Sequence, residues 1–388
     1  MEVPKATVVS VGPPAASLEG AKRAASKLKV TTDPPTYDEL LKIRDDVVLA
    51  PESLDLDPVG ASADELARVA ELRCAAQFCA QLGAFWRNLS PLVRHRTAIL
   101  ALQGVGAPEA DLAHHFDRAT LLRFLRARPT VAKSAQMFVA MCAWYREYKP
   151  FEQANIQRDA LRAGTSAEAR VAHAYMPAGF HGLDKRGLPV YYGRYGVYDF
   201  AGVAREATFE VLMQAAMSTQ LSSMAMNNAV SRARGKEYFT NVIVLDLNDV
   251  GVSMLKSAIP VFLKFVKVRV ESARARSKFQ SLTPLPSAAQ VLDDYYPERM
   301  AVAFVVNCPG FFMTLYRWLV APFLSADTKS KTRIFGKSDD HLAAIGEYVD
   351  RDQVCDWLGG GLKGWPYGDG GWVPHDAKEK VGGAAKAA

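Results

Sequence analysis

The chain has 388 residues, of which 49% are apolar and 23% charged, with a formal charge of +6 and a pI near 8.9. That composition excludes a wholly disordered or collagen-like chain, and the length suits roughly two or three globular domains. The mild basicity favours anionic partners such as phosphates or membrane surfaces. No sharp basic cluster or nucleic-acid-binding motif accompanies it, so nucleic acid is not an expected partner. The five cysteines (Cys74, Cys79, Cys142, Cys308 and Cys355) are scattered and odd in number. They show no disulfide framework and no zinc spacing, which fits a reduced intracellular compartment.

Residues 1–33 lack the apolar core of a secretory signal and are poor in acids. A disordered leader is expected there, with an organelle transit peptide as the alternative. Thr36-Tyr37-Asp38-Glu39 and Ser62-Ala63-Asp64-Glu65 are capping boxes, each opening a helix. The second helix carries Leu66, Val69, Leu72, Cys79, Leu82 and Phe85, and is expected to pack on the main body. Asp117 starts a third helix, apolar at Leu121, Leu122, Phe124 and Leu125 and basic at Arg123, Arg126 and Arg128. Pro129 stops it, because a residue before proline is pushed out of helical geometry. Thr130 is the expected N-cap of the next helix, which runs to about Tyr148.

From about Gly182 the pattern changes. A turn and strand begin at Gly187, a second strand covers Asn241–Leu247, a third Ala301–Asn307 and a fourth Thr332–Gly336. Their continuous apolar runs suit a buried sheet. Helical stretches at 206–230, 252–268 and 311–324 lie between them. This alternation predicts an α/β fold with a mixed, largely parallel sheet. Residues 269–288 read as a basic, proline-containing insert, and the tail after about Val373 is low-complexity.

The segment Tyr295–Gly336 combines unusual features. Ala301–Leu324 approaches the ~20 apolar residues of a membrane span. Asn307-Cys308-Pro309-Gly310 interrupts it, so a strand followed by a separate apolar helix is the better reading. That helix is apolar on most of its sides and then meets a polar run, Ser325–Lys331.

No catalytic motif appears. There is no G-x-G-x-x-G after a strand and no G-x-S-x-G elbow. Gly336-Lys337-Ser338 imitates the end of a phosphate-cradling loop, but Lys331 stands where that loop needs glycine. His114-His115 and Asp339-Asp340-His341 lack partners at metal-ligand spacing. The chain is therefore expected not to be an enzyme, with no cofactor, no catalytic residues and no metal.

Several blocks then carry a resemblance. LLRFLRAR (121–128), GLDKRGLPVYYGR (182–194), VLDLNDV (244–250), the segment from YYPERM (295–300) to Gly336, and DQVCDWLGGG (352–361) occur in the order seen in the CRAL-TRIO lipid-binding family. The resemblance covers roughly residues 110–366, and its motifs are closest to the phosphatidylinositol-transfer branch. It implies a helical N-terminal region before an α/β lipid-binding domain with a mobile gate helix. The corresponding division is a leader (1–33), a helical extension (34–109), the family's helical region (110–165), the lipid-binding domain (166–366) and a disordered tail (367–388). The implied function is lipid binding and transfer between membranes, of phosphatidylinositol or a related phospholipid. The alternatives are a carrier of a neutral hydrophobic ligand, such as a sterol, isoprenoid or tocopherol-like molecule, and a membrane or protein adaptor that transfers nothing.

By the same resemblance the gate is Phe311–Leu324, with Phe311, Phe312, Leu315, Trp318, Leu319 and Phe323 facing lipid or pocket. Trp318 suits a membrane interface, and Arg317 can snorkel to headgroups. The implied headgroup-binding residues are Arg128, Arg299, Thr328 and Lys331, with Glu298 as the partner of Arg299. Two departures stand out. Pro129 replaces a common lysine. Asn241 and Ile243 replace the serine and threonine of phosphatidylcholine-binding members, which counts against a choline lipid. Arg274, Arg276 and Lys278 read as part of a solvated loop, with attraction to an anionic membrane as the alternative. The expected molecule is a monomer, cytoplasmic and transiently peripheral to membranes.

Overall fold

The computed structural model describes residues 35–81, 117–165, 175–258, 288–321 and 326–365, apart from 47, 51, 53, 55, 129, 253, 255 and 257. Helices α1 (Tyr37–Asp46) and α2 (Ala63–Gln81) both start in the predicted capping boxes. Thr36 N–H donates to Glu39 Oε2 at 2.8 Å, and Glu39 N–H to Thr36 Oγ1 at 3.4 Å. Ser62 and Glu65 make the same exchange at 2.9 and 3.2 Å. Asp117 caps α3 (Arg118–Ala127), accepting from Thr120 N–H at 2.6 Å, and Thr130 caps α4 (Val131–Tyr148).

Helix α5 (Pro150–Ala163) was not foreseen. Lys149, in a left-handed conformation with φ 51°, closes α4 and opens α5 within one residue. Pro150 then takes the first helical position, where a missing N–H costs nothing. Proline here starts a helix rather than ending one.

Strands β1 (Ala178–Leu183), β2 (Pro189–Arg194), β3 (Asn241–Asp246), β4 (Met300–Cys308) and β5 (Thr332–Gly336) form one sheet in the order β1-β2-β3-β4-β5. The β1–β2 pair is antiparallel and the other three pairs are parallel. Strand β1 reads Ala-Gly-Phe-His-Gly-Leu, too weak a strand pattern to be visible beforehand. The predicted helix 206–230 is two helices, α6 (Phe200–Glu206) and α7 (Phe209–Arg234), separated where the Thr208 hydroxyl caps Val211 N–H at 3.3 Å. The predicted helix 252–268 and the insert 269–288 lie mostly outside the described residues. Helix α8 (Ala288–Tyr295) precedes β4. After β4 come α9 (Phe312–Leu315), a wider π-turn (Tyr316–Val320) and α10 (Ala326–Ser330).

The strand order places the helices. From β2 to β5 each parallel step moves one strand in the same direction. Helix α7, in the described crossover from β2 to β3, lies on one face, where Met226 and Val230 pack with Phe180 and Leu188. The opposite face is closed by the C-terminal segment, beginning with α11 (His341–Ile345): Ile345, Val349, Val354 and Leu358 pack on Val190, Val242, Val244, Val302, Phe304 and Val306. A second core lies among the helices, where Leu121, Leu122, Phe124, Phe138 and Met141 meet Val69 and Leu72 of α2 and Met213 and Met217 of α7.

The N-terminal extension is tied to this body. Leu49 exchanges two hydrogen bonds with the Asn155 amide at 2.9 and 2.8 Å. Asp57 pairs with Arg118 and Glu52 with Arg232. No helix among the described residues is long and apolar enough to cross a membrane.

Candidate functional site

Side chains alternate along a strand, so the helix-side face of the sheet carries Tyr191, Gly193, Ile243, Leu245, Ala303, Val305 and Ile334. Tyr191, Ile243, Leu245 and Ile334 are only half-buried. Their neighbours on the other face, Val190, Val242, Val244 and Phe304, are at most 1% exposed. Apolar residues on a central strand are normally covered on both faces when helices pack there. The helix-side face is instead an apolar floor that its helices leave partly open.

At the carboxyl end of that floor, β4 carries an extra residue. Its register with β5 runs from Val305↔Ile334 to Cys308↔Gly336, three residues against two. Asn307, with φ 55°, is in this bulge and donates through Nδ2 to Asp246 Oδ1 at 2.8 Å. Such bulges re-aim a strand and its side chains. Pro309-Gly310 and α9 follow. Phe312 packs beside Tyr195, Leu245, Leu247, Val305 and Ile334, so the base of the expected gate rests on the floor. Phe311 is half-buried, Met313 is 39% exposed and Trp318 82% exposed. The Leu315 and Leu319 side chains, and all of Phe323, lie outside the described residues.

Two of the expected headgroup cations, Lys331 and Arg128, are held by carboxylates. Lys331 Nζ lies 2.7 Å from Glu298 Oε2 and 2.5 Å from Asp327 Oδ2. Burial opposes its charge, but hydrogen bonds to Asp327 and Glu298 outweigh that and raise its pKa. Arg128 pairs with Asp294 at 3.1 Å. Thr328 is half-buried, and its carbonyl accepts from the Thr332 hydroxyl at 2.6 Å.

Arg126, two residues before Arg128, holds Glu65 at 2.7 Å. Its hydrogen bond draws the Glu65 carboxyl down to about 2. Glu298 and Asp327 also stabilise the charge on Arg126. The arginine of LLRFLRAR that shares its acids with Lys331 is therefore Arg126. Sequence spacing could not have selected it, since the link runs through tertiary contacts.

Glu298 pairs with Lys331, not with Arg299 as expected. Its left-handed backbone, φ 58°, turns the two consecutive side chains apart. Arg299 joins an interior group containing Asp117, Arg123, Tyr145, Glu237 and Tyr296. Burial, reinforced by the Arg123 charge, lowers its pKa to about 9. In the same group the Tyr145 hydroxyl donates to Tyr296 Oη at 2.6 Å, and Arg123 donates to Thr120 Oγ1 at 2.9 Å. The geometry thus separates Arg299 from the surface pairs of Arg128 and Lys331.

Asn241 is fully engaged inside. Its Oδ1 accepts from Ser223 Oγ at 2.8 Å and Asn227 Nδ2 at 2.9 Å, and its Nδ2 donates to the Pro189 and Asn227 oxygens at 2.9 and 3.1 Å. All four hydrogen-bonding positions of the amide are used. Ile243 lies on the open floor. Elsewhere, Asp339 accepts from Gly336 N–H and Asp340 caps α11 through Ala343 N–H, so both are turn residues. His114 and His115 lie outside the described residues. Among those described, no group of three or more His, Cys, Asp or Glu could hold a metal.

A mixed five-stranded sheet, a half-exposed apolar floor on its helix-side face and a bulge leading into an apolar turn define the α/β site. The family model described as "CRAL/TRIO domain" matches residues 271–360. Over that stretch the chain is similar to the CRAL/TRIO family. It is 27% identical over 263 residues to the "Sec14 cytosolic factor" of Schizosaccharomyces pombe, covering 67% of this chain and 79% of that one. It is 27% identical over 276 residues to the "Phosphatidylinositol/phosphatidylcholine transfer protein SFH11" of Arabidopsis thaliana, covering 69% and 65%. The chain thus spans less than two thirds of the plant relative's length. The Candida glabrata "SEC14 cytosolic factor" is 29% identical over 231 residues, covering 59% and 66%. A solved structure titled "Crystal structure of Sfh5" aligns at a TM-score of 0.42 and 13% identity, covering 85% of this chain and 100% of that one, too low a score to build on.

Proposed function

We propose that the protein binds a phospholipid, phosphatidylinositol or a close relative, in the apolar pocket above the sheet and carries it between membranes. It acts as a carrier, not an enzyme, and docks transiently on the cytoplasmic face of anionic membranes as a monomer. The observation that carries this reading is the half-buried state of Ile243 and Leu245 on a central strand whose other face is closed. The name of the Arabidopsis relative, a phosphatidylinositol/phosphatidylcholine transfer protein, supports the same class.

The thermodynamics require a gate. Burying a methylene is worth ~0.8 kcal/mol, so a two-chain lipid with on the order of 30 methylenes would lose ~24 kcal/mol if released to water. Opening against a bilayer exchanges one apolar surround for another and cancels most of that loss. Trp318, which is 82% exposed, would then meet the interface. The headgroup would be met by Arg128, Thr328 and Lys331, with Arg126 beside them and Arg299 supporting the turn from inside.

A second reading has one observation in its favour. Lys331 and Arg128 are already neutralised by Glu298, Asp327 and Asp294, as suits a neutral hydrophobic ligand with cations used only for structure. Liposome-to-liposome transfer separates the two. The phospholipid reading expects phosphatidylinositol to move faster than a sterol or tocopherol. A faster neutral ligand would favour the second.

A further inference from the structure

We propose that the hydroxyls of Tyr195 and Tyr198 form a polar subsite on the apolar floor, which donates a hydrogen bond to an ester carbonyl of the bound lipid. This rests on the lipid-carrier reading and adds a chemical preference inside the pocket. The two tyrosines follow β2 directly. A tight turn, in which Tyr198 N–H donates to Tyr195 O at 3.2 Å, stacks their rings with centroids 4.7 Å apart at 20°.

Gly193 places them over the floor. It points to the helix side of the sheet, and a Cβ built there would lie 3.3 Å from Tyr198 Oη, 3.3 Å from Tyr195 Cε2 and 3.4 Å from Leu245 Cδ2. The Tyr198 hydroxyl therefore sits directly above the missing side chain, beside a half-buried floor leucine. Any larger residue at 193 would push it away.

Tyr198 is only 9% exposed, yet its hydroxyl has no hydrogen-bond partner among the described residues, and neither does that of Tyr195. Two other buried phenols are paired. Tyr145 donates to Tyr296, and Tyr192 to the Gln353 carbonyl at 3.1 Å. Tyr148, also unpaired, stacks on Trp144 in the helical layer. Neither hydroxyl oxygen is fully enclosed, so a ligand lying on the floor can reach them and supply the partner.

The partner's chemistry follows from the surroundings. Burial pushes both phenols' pKa upward, so they remain protonated donors. The charges felt by Tyr198 come from Tyr191 and Tyr195, with no Lys, Arg or His among the described residues that perturb it. A charged phosphate would be left without a counter-ion here, whereas an uncharged carbonyl needs only the donor. The ester carbonyls lie between headgroup and acyl chains, at the depth where a lipid enters its apolar surround.

The test uses the full chain, loaded from vesicles containing equal amounts of diester phosphatidylinositol and its diether analogue with the same headgroup and chain length. Bound lipid is extracted and quantified by mass spectrometry. Wild type should take up the diester about fivefold over the diether, the ratio expected of one hydrogen bond. Tyr198→Phe keeps the ring and should bring that ratio close to one. Tyr195→Phe should lower it. Equal uptake by wild type, or an undiminished preference in both variants, overturns the subsite while leaving the carrier reading standing. A wild type that loads neither lipid overturns both.

Discussion

Lys331 Nζ stands 2.7 Å from Glu298 Oε2, and the backbone holding Glu298 there has φ 58°. A left-handed conformation disfavours a residue with a Cβ by ~1–2 kcal/mol. The ion pair offsets part of that cost and fixes the lysine at the end of α10. Asp327 approaches from the other side. An anionic headgroup must therefore compete with, or share, two carboxylates for this ammonium group.

Lys331→Ala should lower phosphatidylinositol transfer about tenfold, the scale of one charge-assisted hydrogen bond, and should leave neutral-ligand transfer nearly unchanged. Glu298→Gln removes a competitor and should raise phosphatidylinositol uptake. Parallel transfer assays with the two ligand types check both. Equal loss for every ligand in Lys331→Ala would assign the residue to folding alone.

The bulge at Asn307 is testable separately. Asn307→Ala loses the bond to Asp246 and retains the left-handed backbone, so it should destabilise by ~2–3 kcal/mol. Asn307→Gly loses the same bond but accepts the conformation freely, and should cost ~1 kcal/mol or less. Urea unfolding of both variants reads the difference. Equal values would show that the backbone at 307 carries no strain.

The Glu65–Arg126 pair predicts a pH dependence. Glu65 drops from an ordinary 4.5 to about 2 in the folded chain. Its contribution to stability is complete above pH 4.5 and is lost as pH falls toward 2. Because its side chain is 27% exposed, solvent screening limits the contribution to ~1 kcal/mol. Glu65→Gln should lower stability at neutral pH by that amount and flatten the acid limb over the same window, as measured by denaturation at a series of pH values.

Trp318 is 82% exposed, so Trp318→Ala should change folding stability by no more than ~0.5 kcal/mol. Binding to anionic vesicles in sedimentation assays should nevertheless fall several-fold. A stability loss with unchanged vesicle binding would make Trp318 a packing residue.

The features legible in the sequence were local. The boxes at Thr36 and Ser62, the caps at Asp117 and Thr130 and the apolar runs of β3 and β4 depend on neighbours within a few residues, and each formed where expected. Helix α5 escaped because Pro150 reads equally well as a breaker, and β1 because two glycines and His181 dilute its pattern. The site was less legible than the fold. Lys331, Arg128 and Thr328 could be singled out by resemblance, but their acid partners come from distant segments. The turn that sends Glu298 to Lys331 depends on a left-handed residue that no glycine announced. Tyr195 and Tyr198 gave no signal at all, since their meaning arises only from the open floor beneath Gly193.

A lipid carrier must hold lipid above its apolar floor. Native mass spectrometry of the full chain, incubated with phosphatidylinositol-containing vesicles and reisolated, tests this directly. The account predicts a species heavier than the polypeptide by the mass of one phospholipid, and transfer of that lipid to acceptor vesicles. Folded protein that remains at its polypeptide mass and moves no phospholipid would contradict it.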